Sequence, residues 1–224
     1  MHPTLQLLLS TALFMVIHIS VMAACAPLLG IAVRSVHYGA GTTLLTVGRA
    51  RIKLLPFLGN MVLNDTREVA VDDDDPRRGA YNHQPLWKQL VLPLSGVAVL
   101  LALSLAILRA PGWTGFTAAF AQILHGALAP LSTAQQLLAD GDAFARTHGF
   151  ALVAALVSVK LCAFNLLPFG GLNGGQALLA LARGGKPYVA WEATVAKWLL
   201  LPGLAVALAW LVAFGVYGWK MVGA

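Results

Sequence analysis

The stretch His18-Ile19-Ser20-Val21-Met22 has the spacing closest to a metal site. Residues four apart share one face of a helix, so an imidazole and a thioether would point the same way. A catalytic zinc takes three protein ligands plus water, and a thioether beside a histidine matches Zn²⁺ poorly. Lys160 is a second candidate, because an ionisable side chain inside an apolar stretch marks a functional position by default. Its competing reading is a long stem that snorkels toward a polar edge or a water-filled groove. The run Asp72-Asp73-Asp74-Asp75-Pro76-Arg77-Arg78 resembles a calcium loop but lacks the alternating ligand spacing and the distal Glu, so it reads as a solvated loop. His37, His83, His125 and His148 fall in loops or at the ends of apolar blocks, and no pair among them has i, i+4 spacing. Cys25 and Cys162 lie in apolar blocks without a CxxC partner and read as small core residues.

The elements that must position these groups are membrane helices. Hydrophobic residues make up 58% of the 224-residue chain and charged residues only 11%, too little charge for a soluble domain of this length. A helix needs about 20 apolar residues to cross a hydrocarbon core. Four stretches meet that need: Leu5 to Ile31, Leu90 to Leu108, Phe150 to Leu167 and Trp198 to Trp219. Phe116 to Leu131 is apolar but carries Gln122, His125 and Pro130, and reads as an interfacial or re-entrant helix. Met22-Ala23-Ala24-Cys25 faintly resembles a lipoprotein cleavage box, yet no Lys or Arg precedes it, so the first block is expected to be a retained span. Between the first two spans, Tyr38 to Leu63 is rich in Thr, Val, Ile and Leu, with Arg49, Arg51 and Lys53 alternating, which predicts a β-hairpin with Gly48 near its turn. The expected fold is thus one membrane-embedded α-helical bundle with a small β-hairpin after its first helix.

The net charge of +6 is spread over the loops, which fits membrane topology and anionic lipid contact and excludes a nucleic-acid partner. Arg34, Arg49, Arg51, Lys53, Arg67, Arg77, Arg78 and Lys88 follow the first span, and Arg183, Lys186 and Lys197 follow the third. Only Arg109, Arg146 and Lys220 fall on the other side. That bias predicts a bacterial-type inner-membrane protein with both termini extracytoplasmic.

Three motifs in order resemble the site-2 protease family of intramembrane zinc metalloproteases, in its minimal membrane core without a PDZ domain. The family opens with H-E-x-x-H, followed by Ala, Gly, Val and a G-F-G turn; Ala26, Gly30, Val33, Gly39 and Gly41 stand at matching offsets from His18. Tyr38-Gly39-Ala40-Gly41 looks like that turn, and Ile52 to Asn60 looks like the strand ending in a P-x-G-G-like element. Asn82 to Gln89 is similar to the motif leading into the second core helix. Asn165-Leu166-Leu167-Pro168-Phe169-Gly170-Gly171-Leu172-Asn173-Gly174-Gly175 resembles N-L-x-P-x-x-x-L-D-G-G, which in the family brings the third zinc ligand.

The departures from that pattern fall on the chemistry. Ile19 stands where the resemblance implies the Glu base, and an alkyl group moves no proton. Met22 stands for the second His and Asn173 for the Asp, leaving His18 as the one remaining ligand-type residue. No catalytic residue and no cofactor are expected. Asn173 is also suited to cap a short helix starting near Gly175, and the Lys160 ammonium to replace the lost metal charge by bonding Asn165, Asn173 or nearby carbonyls.

The resemblance further implies that hairpin and cleft accept a transmembrane segment by strand addition. Gly39, Gly41, Ile52, Leu54, Pro56, Gly59, Asn165, Pro168 and Gly174 are the expected client-binding positions, and Ile52→Pro is expected to abolish capture. The leading expectation is a pseudoprotease that binds or regulates transmembrane clients in the lipid bilayer. One alternative is an active intramembrane metalloendopeptidase, serving regulated intramembrane proteolysis, with zinc in a non-standard ligand set. A second is a small transporter or channel subunit, disfavoured because no internal repeat is visible.

Overall fold

The computed structural model describes residues 1–67 and 77–222. The acidic run Asp72–Asp75 lies outside the described residues. The chain forms α1 (Pro3–Leu28), β1 (Val33–Val47), β2 (Ala50–Leu63), a 3-10 turn (Tyr81–His83), α2 (Leu86–Leu108), α3 (Ala110–Leu128), α4 (Thr133–Thr147), α5 (Phe150–Leu166), α6 (Asn173–Arg183) and α7 (Glu192–Val222). Among the described residues α1, α2 and α7 are long and apolar enough to cross a membrane. The apolar α5 has 17 residues and is shorter than these.

The helical core forms where α1, α2, α3 and α5 meet. Phe14 of α1, Val97 and Leu100 of α2, and Phe116 and Ala119 of α3 close on Val159, Cys162 and Ala163 of α5. The small α5 side chains let the helix backbones approach closely, which is how apolar helices gain packing energy when lipid supplies no hydrophobic drive. Both cysteines are free, with Cys162 in this core, as expected. A second cluster, Ala26, Ile31, Tyr81 and Leu92, ties the end of α1 to the start of α2. Only 6% of the apolar stretch of α7 is buried against 33% for α2, so α7 is a peripheral wall.

The hairpin differs from its expected outline. Strand β1 begins at Val33, and Tyr38-Gly39-Ala40-Gly41 lies inside it as a bend instead of leading into it. Gly39 and Gly41 have φ of 99° and 84°, and a Cβ at Gly39 would collide with the Leu55 carbonyl. Only glycine tolerates that combination. The expected Gly48 turn is present: Gly48 and Arg49 link the strands, with a positive φ at the first of the two residues. The antiparallel register is irregular because the strands fold back along themselves. Val36, His37 and Tyr38 face Met61, Asn60 and Gly59 on one side and Ala50, Arg51 and Ile52 on the other. The described pairings of residues 59–63 are all to β1, so the outer edge of this half of β2 is open.

The expected interfacial segment is longer than anticipated. It starts at Ala110, one residue past α2, and is followed by the unanticipated α4. Gln6 of α1 donates to the Ala145 carbonyl and Gln135 to the Ala213 carbonyl, so α4 lies across the N-terminal end of α1 and the C-terminal half of α7.

Candidate functional site

His18, Met22 and Asn173 converge. Asn173 Nδ2 donates to His18 Nε2 at 2.8 Å and lies 4.0 Å from Met22 Sδ. An amide nitrogen has only protons to offer, so Nε2 is the acceptor and the imidazole proton belongs on Nδ1. The ring is 5% exposed, stacked on Phe14 at 5.5 Å between centroids, and Nδ1 is buried without a partner. A Cβ at Gly96 would collide with that ring, so this glycine lets α2 close over His18. Gly174 and Gly175 act similarly: a Cβ on either would strike the carbonyls of Leu166, Leu167 or Phe169, which lets the start of α6 seat against the end of α5. Asn173 is the first residue of α6, whose cap position is Leu172 without a side-chain bond. Its amide is spent on His18, which corrects the expected capping role.

Ile19, at the base position, is 3% exposed. A Cβ at Gly59 would meet Ile19 Cδ1 and the His37 carbonyl, so β2 rests directly on Ile19. Sequence alone offered no sign of that contact.

The donor set does not fit zinc. It comprises one imidazole whose Nε2 is already engaged, one thioether and one amide, with no anion to balance a dication. Among the described residues no group of three or more His, Cys, Asp or Glu could hold a metal. In place of an ion, the positive end of the Asn173 N–H dipole sits against the His18 lone pair.

An HxxxM helix face, a strand resting on the residue after its histidine and a P-x-x-x-L-N-G-G element thus meet at one place. A model of peptidase family M50 matches residues 7–209. The chain belongs to peptidase family M50. No curated protein matches it. Within this M50 chain the remaining expected positions are scattered. Gly39 and Gly41 shape the bend of β1, while Ile52 and Leu54 are exposed on the first half of β2. Pro56 also belongs to β2. Asn165 donates back to the Leu161 carbonyl at 2.9 Å and Pro168 is exposed. Ile52 is paired with both Tyr38 and Leu45, so Ile52→Pro would break the sheet and does not isolate its edge.

Lys160 is not part of the His18 site. Its Nζ donates to Gln122 Oε1 at 2.5 Å and to the Gly115 carbonyl at 3.1 Å, fastening α5 to α3. The expected bonds to Asn165 or Asn173 are replaced by these two acceptors on α3.

A second polar site went unnoticed in the sequence, where its members read as ordinary loop charges. Asp65 holds Arg67 by paired bonds at 2.9 and 2.6 Å, and Arg67 Nη1 reaches Glu192 Oε1 at 2.5 Å. Arg183 bonds the same Glu192 oxygen and also Gln89 Oε1. Gln89 is fully buried and donates to the carbonyls of Gln84 and Gly185. Tyr81 donates to the Gln89 carbonyl at 2.7 Å, and burial pushes its phenol up to about 12, so it stays neutral. Asp65, Arg67, Tyr81, Arg183 and Glu192 border a cavity of about 500 Å³ between β2, α6 and α7, whose apolar wall includes Met61, Leu63, Leu179, Ala193 and Ala196. Helix α6 spans both sites: Asn173 begins it and Arg183 ends it.

Proposed function

We propose that this chain is a catalytically inactive member of family M50 that binds transmembrane clients of a bacterial-type inner membrane and regulates their proteolysis without cutting them. The reading is supported by chemistry on one side and space on the other. Peptide hydrolysis in a zinc site needs a metal-bound water and a base, and general base catalysis alone contributes about 10²–10⁴-fold. Here Ile19 supplies no base and His18 Nε2 is bound to an amide.

The observation that carries the reading is the open outer edge of β2 at residues 59–63, which runs beside a cavity of about 500 Å³, while His18 Nε2 is engaged by Asn173. An unwound client segment can add to that edge through main-chain hydrogen bonds. Client-binding positions are therefore Gly59, Met61 and Leu63 on the edge, with Gly39, Gly41 and Pro56 setting the shape of the sheet. In the proposed topology α1, α2, α5 and α7 cross the bilayer, α3 re-enters the bundle from the extracytoplasmic side, α4 lies at that side, and both termini are extracytoplasmic.

Two measurements test this. Metal analysis of the full chain in mild detergent should give zinc well below one per chain, unchanged in His18→Ala; stoichiometric zinc lost on that substitution would restore the enzyme. A photocrosslinker at Met61 should capture membrane proteins that one at the exposed Val99 of α2 does not. Equal labelling at both positions would remove the client site.

A further inference from the structure

Arg67 and Arg183 come from separate elements, the segment after β2 and the end of α6, yet both aim at one oxygen, Glu192 Oε1. Asp65 engages two further nitrogens of Arg67, so each of its three nitrogens has an acceptor. Arg183 is different. It is 4% exposed and borders the cavity, two of its nitrogens are engaged, and its Nε is buried with no partner. A guanidinium offers five donors in a planar fork shaped for a carboxylate, so Glu192 and Gln89 leave this fork incompletely satisfied among the described residues. Glu192 is the first residue of α7, the wall with the least buried apolar stretch, and so the member of the network best able to move aside.

We infer that the cavity between β2, α6 and α7 recognises a carboxylate that directly flanks the client's transmembrane segment, and that Glu192 occupies this carboxylate's place in the free chain. The inference rests on the client-binding reading above. Docking exchanges one acceptor for another: the client carboxylate takes the two guanidiniums, and Glu192 turns outward with α7's first turn. Gln176 and Tyr188, both exposed at the cavity, face the incoming flank.

The test uses the full chain in nanodiscs and synthetic peptides sharing one apolar 20-residue segment, with Glu, Gln or Lys at the flank nearest the cavity. The Glu-flanked peptide should bind about tenfold tighter than the Gln-flanked one, the scale of one charge-assisted hydrogen bond. The Lys-flanked peptide should bind more weakly still. Arg183→Gln should erase the Glu-over-Gln ratio, and Glu192→Gln, which removes the internal competitor, should widen it. Because either variant removes part of a buried network and could unfold, the flank series on the unaltered chain decides the matter. Measurable but equal affinity for Glu and Gln flanks overturns the carboxylate site and leaves the client reading intact. No binding by any of the three overturns the client reading, and this inference with it.

Discussion

The two polar sites joined by α6 differ in what replaced solvent when they were buried. At His18 every formal charge is gone, and one neutral hydrogen bond from Asn173 joins α1 to α6. At Arg183 two guanidiniums and two carboxylates are retained, joining the segment after β2, α6 and α7. A buried charge needs its partner far more than a buried amide does. Removing a member of the charged site should therefore cost more than removing one of the neutral site.

The largest effect should come from Arg183→Ala, which leaves Gln89 Oε1 without its donor and Glu192 with Arg67 alone. Breaking a buried pair costs about 3–5 kcal/mol, read as a drop in thermal unfolding temperature in detergent. A loss below that of the His18-site variants would reverse the comparison. Next is Gly59→Ala, whose methyl would press on Ile19 and the His37 carbonyl; overpacking of this kind costs about 1–3 kcal/mol. Adding Ile19→Ala should recover part of the loss, and no recovery would mean the strand does not rest on that side chain. Asn173→Ala should cost about 1–3 kcal/mol by leaving His18 Nε2 buried and unsatisfied. Asn173→Asp together with Ile19→Glu and Met22→His should bring zinc to near one per chain, measured by metal analysis; none would show that the scaffold itself has shifted. At the bottom lies Arg146→Ala, which breaks a solvent-exposed i, i+4 pair with Asp142 and should shift stability by only about 0.3–0.5 kcal/mol.

Much of the bundle was legible because apolar runs of membrane length leave few alternatives. The α1, α2, α5 and α7 boundaries fall within a few residues of the apolar blocks, apart from the longer N-terminal end of α7. The amphipathic α4 was missed, since its Gln, Asp and Arg residues read as loop polarity. The hairpin's turn at Gly48 followed from local residue types, whereas its doubled pairing did not, because strand register is set by contacts distant in sequence. The His18–Met22–Asn173 grouping could be anticipated from motif order, but the direction of the Asn173 amide, away from a capping role and toward an imidazole, could not. Lys160 stands out in the sequence as a charge in an apolar block, but its acceptors lie on α3, 38 and 45 residues away.

By itself the sequence determined that this chain carries apolar blocks of membrane length and the site-2 protease pattern, and that Ile19, Met22 and Asn173 offer alkyl, thioether and amide groups around His18. Those are properties of residue type and spacing, fixed before any folding. Only the tertiary structure decided that Asn173 bonds His18, that β2 rests on Ile19, and that Arg67, Arg183 and Glu192 meet at one cavity. Each of those depends on groups from distant elements coming within a few ångströms, and no local pattern encodes which buried charge will find which partner.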